Sequence, residues 1–414
     1  MAAWISAGSA TAVAIRTPIW SSTFRPFSGA SASAIAVSPT SNTVYVGGRI
    51  TSSPERFAIV AYATGTGQRR WLTRYPSGGA PATACWMSTL AVTPDASTLF
   101  SSGATFSNDG SGDWVTTAID AATGATIWVA RIQHATVWTP SLVMAPAGGR
   151  IFVAGPVGAN GRATRVVAYR AVTGEELWRV RVEGGASDRA VGVSPGGNRL
   201  YVGVVRRQAG VPLNHIAVVA LAARTGSVVW DRSYGNGNRM YEDPADLAVD
   251  PLGERVYVTV VREAARGPFA PPLTLAFGAT HGTLRWMATE PDIVFSSYSV
   301  EVVASARRVF VGAGYGVVSR AARTGRRLWS TSTDPLGQDW WAYAAGLALS
   351  PDGLSVFVNE SFENTGGTAA RLVTMEMNGT TGDVDWYAIR RITHGGGKIV
   401  VGPHGGRVFV AGSL

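Results

Sequence analysis

Residues 167–182, VAYRAVTGEELWRVRV, decide how this chain is read. An apolar strand runs into a Thr-Gly turn at Thr173-Gly174, and a tryptophan follows four residues after the glycine. The same grammar recurs at Gly67/Trp71, Gly124/Trp128, Gly226/Trp230, Gly282/Trp286, Gly325/Trp329 and Gly382/Trp386. Seven copies of one hairpin define a repeat protein.

A second phrase alternates with the first. It reads apolar strand, Ser-Pro turn, then a β-branched and aromatic strand, as in LALSPDGLSVFVNE around Pro351. Aligned on the aromatic six residues after the proline, the copies are Pro39/Tyr45, Pro94/Phe100, Pro146/Phe152, Pro195/Tyr201, Pro251/Tyr257, Pro351/Phe357 and Pro403/Phe409. One more copy has Ala304 six residues before Phe310. Proline cannot continue a central strand, and glycine supplies the positive φ of a tight reversal. Each phrase is therefore a hairpin, and the two together give four strands, A to D, per repeat. No helical period is present. The pattern predicts an all-β fold, a β-propeller of four-stranded blades forming a single domain over residues 1–414.

Eight A–B phrases face seven C–D phrases, and the last A–B phrase, residues 398–414, has no C–D phrase after it. Residues 11–24, TAVAIRTPIWSSTF, offer a worn C–D phrase with Trp20 in the tryptophan position. The expectation is an eight-bladed propeller whose closing blade combines residues 11–24 with 398–414; seven blades is the alternative. The repeated tryptophans are expected to pack between blades.

Composition narrows the class. Hydrophobic residues make up 46% and charged residues 15%, and the 50 glycines suit many turns. No apolar run is long enough to cross a membrane as a helix. The net charge of +9 raises nucleic acid or another polyanion as a partner, but the arginines are scattered in pairs such as Arg69-Arg70 and Arg390-Arg391. A solvated basic surface is the favoured reading, on a monomer. The single cysteine, Cys85, excludes an intramolecular disulfide. The N-terminus lacks a basic leader followed by an apolar core. The protein is thus expected in the cytoplasm, or secreted or periplasmic if a leader has been removed.

The phrase Ala-x-x-x-x-Thr-Gly-x-x-x-Trp resembles the tryptophan-docking repeat of the quinoprotein, or PQQ-type, β-propellers. The phrase at residues 350–359, SPDGLSVFVN, resembles the YVTN-type propeller repeat. The resemblance covers nearly the whole chain and implies the fold. Quinoprotein alcohol dehydrogenases pair it with vicinal cysteines, a calcium site and often a haem domain. Here only Cys85 exists, and neither Cys-x-x-Cys-His nor the calcium motif is found. PQQ and PQQ-dependent dehydrogenation are not expected, and no cofactor is predicted.

In propellers strand A lines the channel, so breaks in its apolar pattern point to a site. Three residues before the turn position, Glu301 is the only charge; five before, Asp246 and Lys398 stand out. Buried charge is costly unless paired or functional. Asp246 and Glu301 fall on adjacent blades and could share a proton, act as acid and base, or hold a cation such as calcium. The plainer alternative is solvated or ion-paired carboxylates. At the mouth come Trp86, Trp138, Asp188, Arg189, Glu242, Asp243, Tyr298, Asp339, Trp341, Tyr343 and His394. Aromatic faces beside carboxylates suit a saccharide or other small molecule; the bland reading is a plug for a wide hole. The expectation is a ligand-binding propeller. The alternative is a hydrolase, lyase or cyclase using Asp246, Glu301, Asp243 and His394 as acid and base.

Overall fold

The computed structural model describes residues 13–24, 29–40, 42–51, 55–76, 84–106, 112–135, 139–158, 163–207, 214–235, 240–264, 269–290, 300–336, 340–367, 369–392 and 394–413. No helix occurs among them. The two phrases of each repeat form one antiparallel sheet in the order A-B-C-D, and seven such sheets follow one another. They occupy residues 30–76, 84–135, 141–183, 185–234, 240–289, 300–332 and 340–392, designated blades 1 to 7. The last A–B phrase forms a two-stranded hairpin, His394–Val401 with Val408–Ser413. Each strand A packs against the strand A of the next blade, and the hairpin's first strand lies between those of blades 7 and 1. Strand A is therefore innermost and lines the axis.

The protein is a seven-bladed β-propeller, and the predicted eighth blade is not formed. Residues 14–15 do not extend the C-terminal hairpin; they add in parallel to strand D of blade 7, with Ala14 opposite Trp386 and Ile15 opposite Tyr387. Residues 16–24 form no strand. The segment lacks the Thr-Gly turn that would fold it into a hairpin, so no C and D strands follow the last B strand. Trp20 nevertheless occupies a tryptophan position: its indole lies 6.1 Å from Phe409 of the hairpin and donates to the Thr64 carbonyl of blade 1 at 2.8 Å.

Packing explains the repeated Gly-Trp spacing. In blade 3 the Gly174 N–H closes the turn on the Arg170 carbonyl at 2.9 Å, with φ at 72°. The chain then re-enters strand D, where Trp178 lies opposite Ala168. The indole leaves its own blade and sits on the glycine of the next. A Cβ at Gly226 would lie 2.6 Å from Trp178, and one at Gly282 would lie 2.5 Å from Trp230. The same indole donates to the carbonyl three residues before that glycine: Trp71 to Ala121, Trp128 to Ala171, Trp178 to Ala223, Trp230 to Ala279 and Trp286 to Ala322. The strand-B aromatic supports it within the blade, as Tyr201 does Trp230 at 5.8 Å, and the Tyr201 hydroxyl donates to the same Ala279 carbonyl. Burial of an indole on this scale contributes about 4–6 kcal/mol of transfer free energy at most.

Trp386 is the exception. No C–D turn follows blade 7, so its indole donates to Glu376 on the adjacent strand C, and the Arg16 guanidinium lies over its ring at 5.8 Å.

Gly226→Ala is expected to destabilise the fold by about 2–4 kcal/mol, because the methyl meets an indole at positive φ. Gly149→Ala, in open space at ordinary φ, should stay within about 0.5 kcal/mol of wild type. Paired chemical denaturation curves check both.

Candidate functional site

The site begins with a bulge. Strand A slips register at Ser33 in blade 1, Ser88 in blade 2 and Ala245 in blade 5, and over Gly395 to Gly397 in the hairpin. A bulge bends the strand and re-aims the side chains around it. Two bulged serines reach the next blade: Ser33 Oγ donates to the Met87 carbonyl at 2.7 Å, and Ser88 Oγ donates to the Pro140 carbonyl.

Residues opposite the second position after the strand-B aromatic share one layer of the channel wall. In register they are Ala34 opposite Gly47, Thr89 opposite Ser102, Ser141 opposite Ala154, Asp246 opposite Thr259, Gly346 opposite Asn359 and Lys398 opposite Ala411. Glu301, opposite Gly312, belongs to the same layer. Sequence alignment on the aromatic had set it two positions away. The A–B turn of blade 6 is two residues shorter: Ser305 N–H bonds Arg308 O, where blade 7 joins Ser350 to Ser355. Val303, not Glu301, faces Phe310. Asp246, Glu301 and Lys398 thus lie at one depth.

Each carboxylate of the layer grips its neighbouring blade. Asp246 accepts the Val302 N–H at 2.9 Å and its own neighbour Leu247 N–H at 2.8 Å. Glu301 accepts the Leu347 N–H at 2.8 Å through Oε2, while Oε1 lies 3.7 Å from the Lys398 ammonium. Lys398 spans blade 7 to reach it, passing a position where Gly346 has no side chain. Among the described residues, the carboxylates are held as acceptors by backbone donors and the Lys398 ammonium. The Glu301 side chain is 14% exposed and that of Lys398 33% exposed, so the lysine is the more exposed side chain of the pair.

Trp86, on strand A of blade 2, is 50% exposed and held edge-on by Phe106 at 5.5 Å. Asp243 is also exposed. Asp188, Arg189, Glu242, Trp341, Tyr343 and His394 lie on inner strands, with side chains beyond those described; Trp138, Tyr298 and Asp339 lie outside the described residues. Among the described residues no three His, Cys, Asp or Glu side chains converge as a metal site. Cys85 is buried, and burial followed by the Glu55 charge pushes its thiol up to about 12, which leaves it unreactive.

Two polar clusters between blades escape the sequence reading. Glu290, fully buried, accepts from Arg320 of blade 6 at 2.6 Å and from Thr274 at 2.8 Å. Glu360 of blade 7, also fully buried, accepts from Thr333 at 2.7 Å, and its Oε2 has no partner among the described residues. Glu290 follows the last residue of its strand, and Glu360 lies in a strand that also carries Asn359, Glu363 and Asn364, so neither stands out as a charge in an apolar run. Burial, against the smaller effect of the Thr333 hydrogen bond, holds the Glu360 carboxyl well above the ordinary carboxylate range.

A family model described as outer membrane protein assembly factor BamB matches residues 57–286 and 111–332. The chain belongs to this PQQ-like propeller family. No curated protein matches it by sequence. Among solved structures, a Dos1 propeller is 12% identical at a TM-score of 0.56, over 93% of this chain and 90% of that one. The dihydro-heme d1 dehydrogenase NirN in complex with DHE is 10% identical at 0.53, over 87% and 67%. The quinohemoprotein alcohol dehydrogenase from Comamonas testosteroni is 13% identical at 0.48, over 77% and 61%. At such identities the likeness is one of fold.

Glu360 sets a pH dependence. The folded chain keeps a proton there that the unfolded chain releases above about pH 4–5. This contribution favours the fold at low pH and is lost as pH rises towards the raised folded value. Glu360→Gln is therefore expected to raise the melting temperature at pH 7–8 and to leave it unchanged near pH 4, as read by thermal scans at both pH values.

Proposed function

We propose that this PQQ-like propeller binds a hydroxylated small molecule of the saccharide type at the channel mouth, with the Asp246, Glu301 and Lys398 layer as its floor. The observation that carries this reading is one layer of the inner wall that holds Asp246, Glu301 and Lys398, together with a half-exposed tryptophan on strand A of blade 2. The docked tryptophans are committed to neighbouring blades, whereas Trp86 offers solvent a flat apolar face. Such a face stacks on a sugar ring, and carboxylates accept its hydroxyls. Asp243 belongs to the same end of blade 5 as Asp246. The remaining mouth residues, Trp138, Asp188, Arg189, Glu242, Tyr298, Asp339, Trp341, Tyr343 and His394, extend this assignment from the sequence.

Trp86→Ala is expected to weaken saccharide binding about tenfold while lowering the melting temperature little, because the indole is half exposed. Calorimetric titration against a saccharide panel, alongside a thermal scan, measures both. Unchanged affinity for every sugar that binds the wild type removes Trp86 from the site.

A second reading assigns the acid–base chemistry of a hydrolase, lyase or cyclase to the same end of the channel. Its carboxylates and His394 would serve as acid and base. Glu301→Gln and Asp243→Asn should then abolish turnover with the fold retained; turnover that survives both substitutions excludes this reading.

A further inference from the structure

We infer that the ligand of the channel layer carries an oxyanion, a carboxylate or a phosphate, and that Lys398 receives it; this deepens, and rests on, the binding role proposed above. Lys398 is the only lysine among 36 cationic residues. Everywhere else the chain uses arginine, whose planar fork is rigid and always charged, whereas an ammonium is a compact point charge with three donors. The exception stands on the channel wall.

Three features make this position a receiver. The ion pair with Glu301 is 3.7 Å long, beyond hydrogen-bonding distance, and Glu301 keeps the Leu347 N–H through its other oxygen. Glu301 therefore keeps a hydrogen bond when an incoming anion competes for the ammonium. The run Gly395-Gly396-Gly397 ahead of Lys398 faces Gly412 alone, and such a bulge removes backbone groups from the ladder. Finally, the Asn359 side-chain amide is fully buried, and its Nδ2 has no partner among the described residues. It points at Gly397, where any Cβ would overlap it.

Donors gather at the hairpin side of the layer, and the acceptors Asp246 and Glu301 gather on blades 5 and 6. That polarity matches a molecule with an acidic group at one end and hydroxyls along its length. With Trp86 available to a ring face, the class is a sugar acid or a sugar phosphate.

The single lysine makes the test site-specific. Full-length chain labelled with ¹³Cε-lysine gives one lysine resonance. Glucuronate, acetate, inorganic phosphate and glucose are titrated in turn. Glucuronate or phosphate is expected to move the resonance saturably, and glucose is not; the acetate and phosphate arms decide which oxyanion is preferred. By calorimetry, Lys398→Met should weaken glucuronate at least about tenfold, and Glu301→Gln should tighten it by removing the competing carboxylate. A resonance that no anion moves overturns the inference. So does sugar binding that depends on Trp86 but is unchanged in Lys398→Met, an outcome that leaves the binding role standing. A saccharide panel in which nothing binds removes the binding role itself.

Discussion

The fold depends on an indole seated on a glycine that belongs to the next blade. The glycine is needed twice, once to close its own turn at positive φ and once because a methyl there would collide with the visiting ring. The carbonyl three residues upstream receives the indole N–H, and in blades 1, 4 and 5 the strand-B tyrosine reaches the same carbonyl. Each blade thus completes its neighbour rather than itself. A contact with this direction makes the ring an ordered chain of dependencies, and its two ends become special. Trp20 fills the glycine platform of blade 1 from outside any strand, and Trp386, with no platform to visit, turns back to Glu376.

The same logic operates at the inner wall, with polar groups in place of indoles. Ser33, Ser88, Asp246 and Glu301 each reach from one strand A to the backbone of the next. A carboxylate held by a backbone donor stays in place facing the channel, which is the preorganisation a binding floor requires. The proposed binding role puts structural and functional demands on the same layer. The charges that pin blades 5, 6 and 7 together are also those that a ligand entering the mouth would meet.

Much of this was legible in the sequence. The two phrases identify the strands, the turns and the aromatic partners, because each needs residue types that few others can replace. Asp246, Glu301 and Lys398 were visible as charges in an apolar register. Their common depth was not, since a turn two residues shorter in blade 6 displaces an alignment anchored on Phe310. The Glu290–Arg320 pair and Glu360 were missed for a related reason. A polar side chain within a strand carries no sign of whether it faces water or another blade, and only the partner across the interface decides.

Blade number shows where the boundary lies. Local chemistry, the positive-φ glycine and the strand-breaking proline, determined that the chain would build repeated four-stranded sheets ringed by docked tryptophans. Counting phrases suggested a closing blade from both termini, because a sequence count treats Trp20 as equivalent to its homologous positions. Tertiary structure decided otherwise. Residues 14–15 find their hydrogen bonds on the exposed edge of blade 7, and the C-terminal hairpin remains two-stranded. A strand's partner is chosen by which edge lies within reach, and that is a property of the assembled ring.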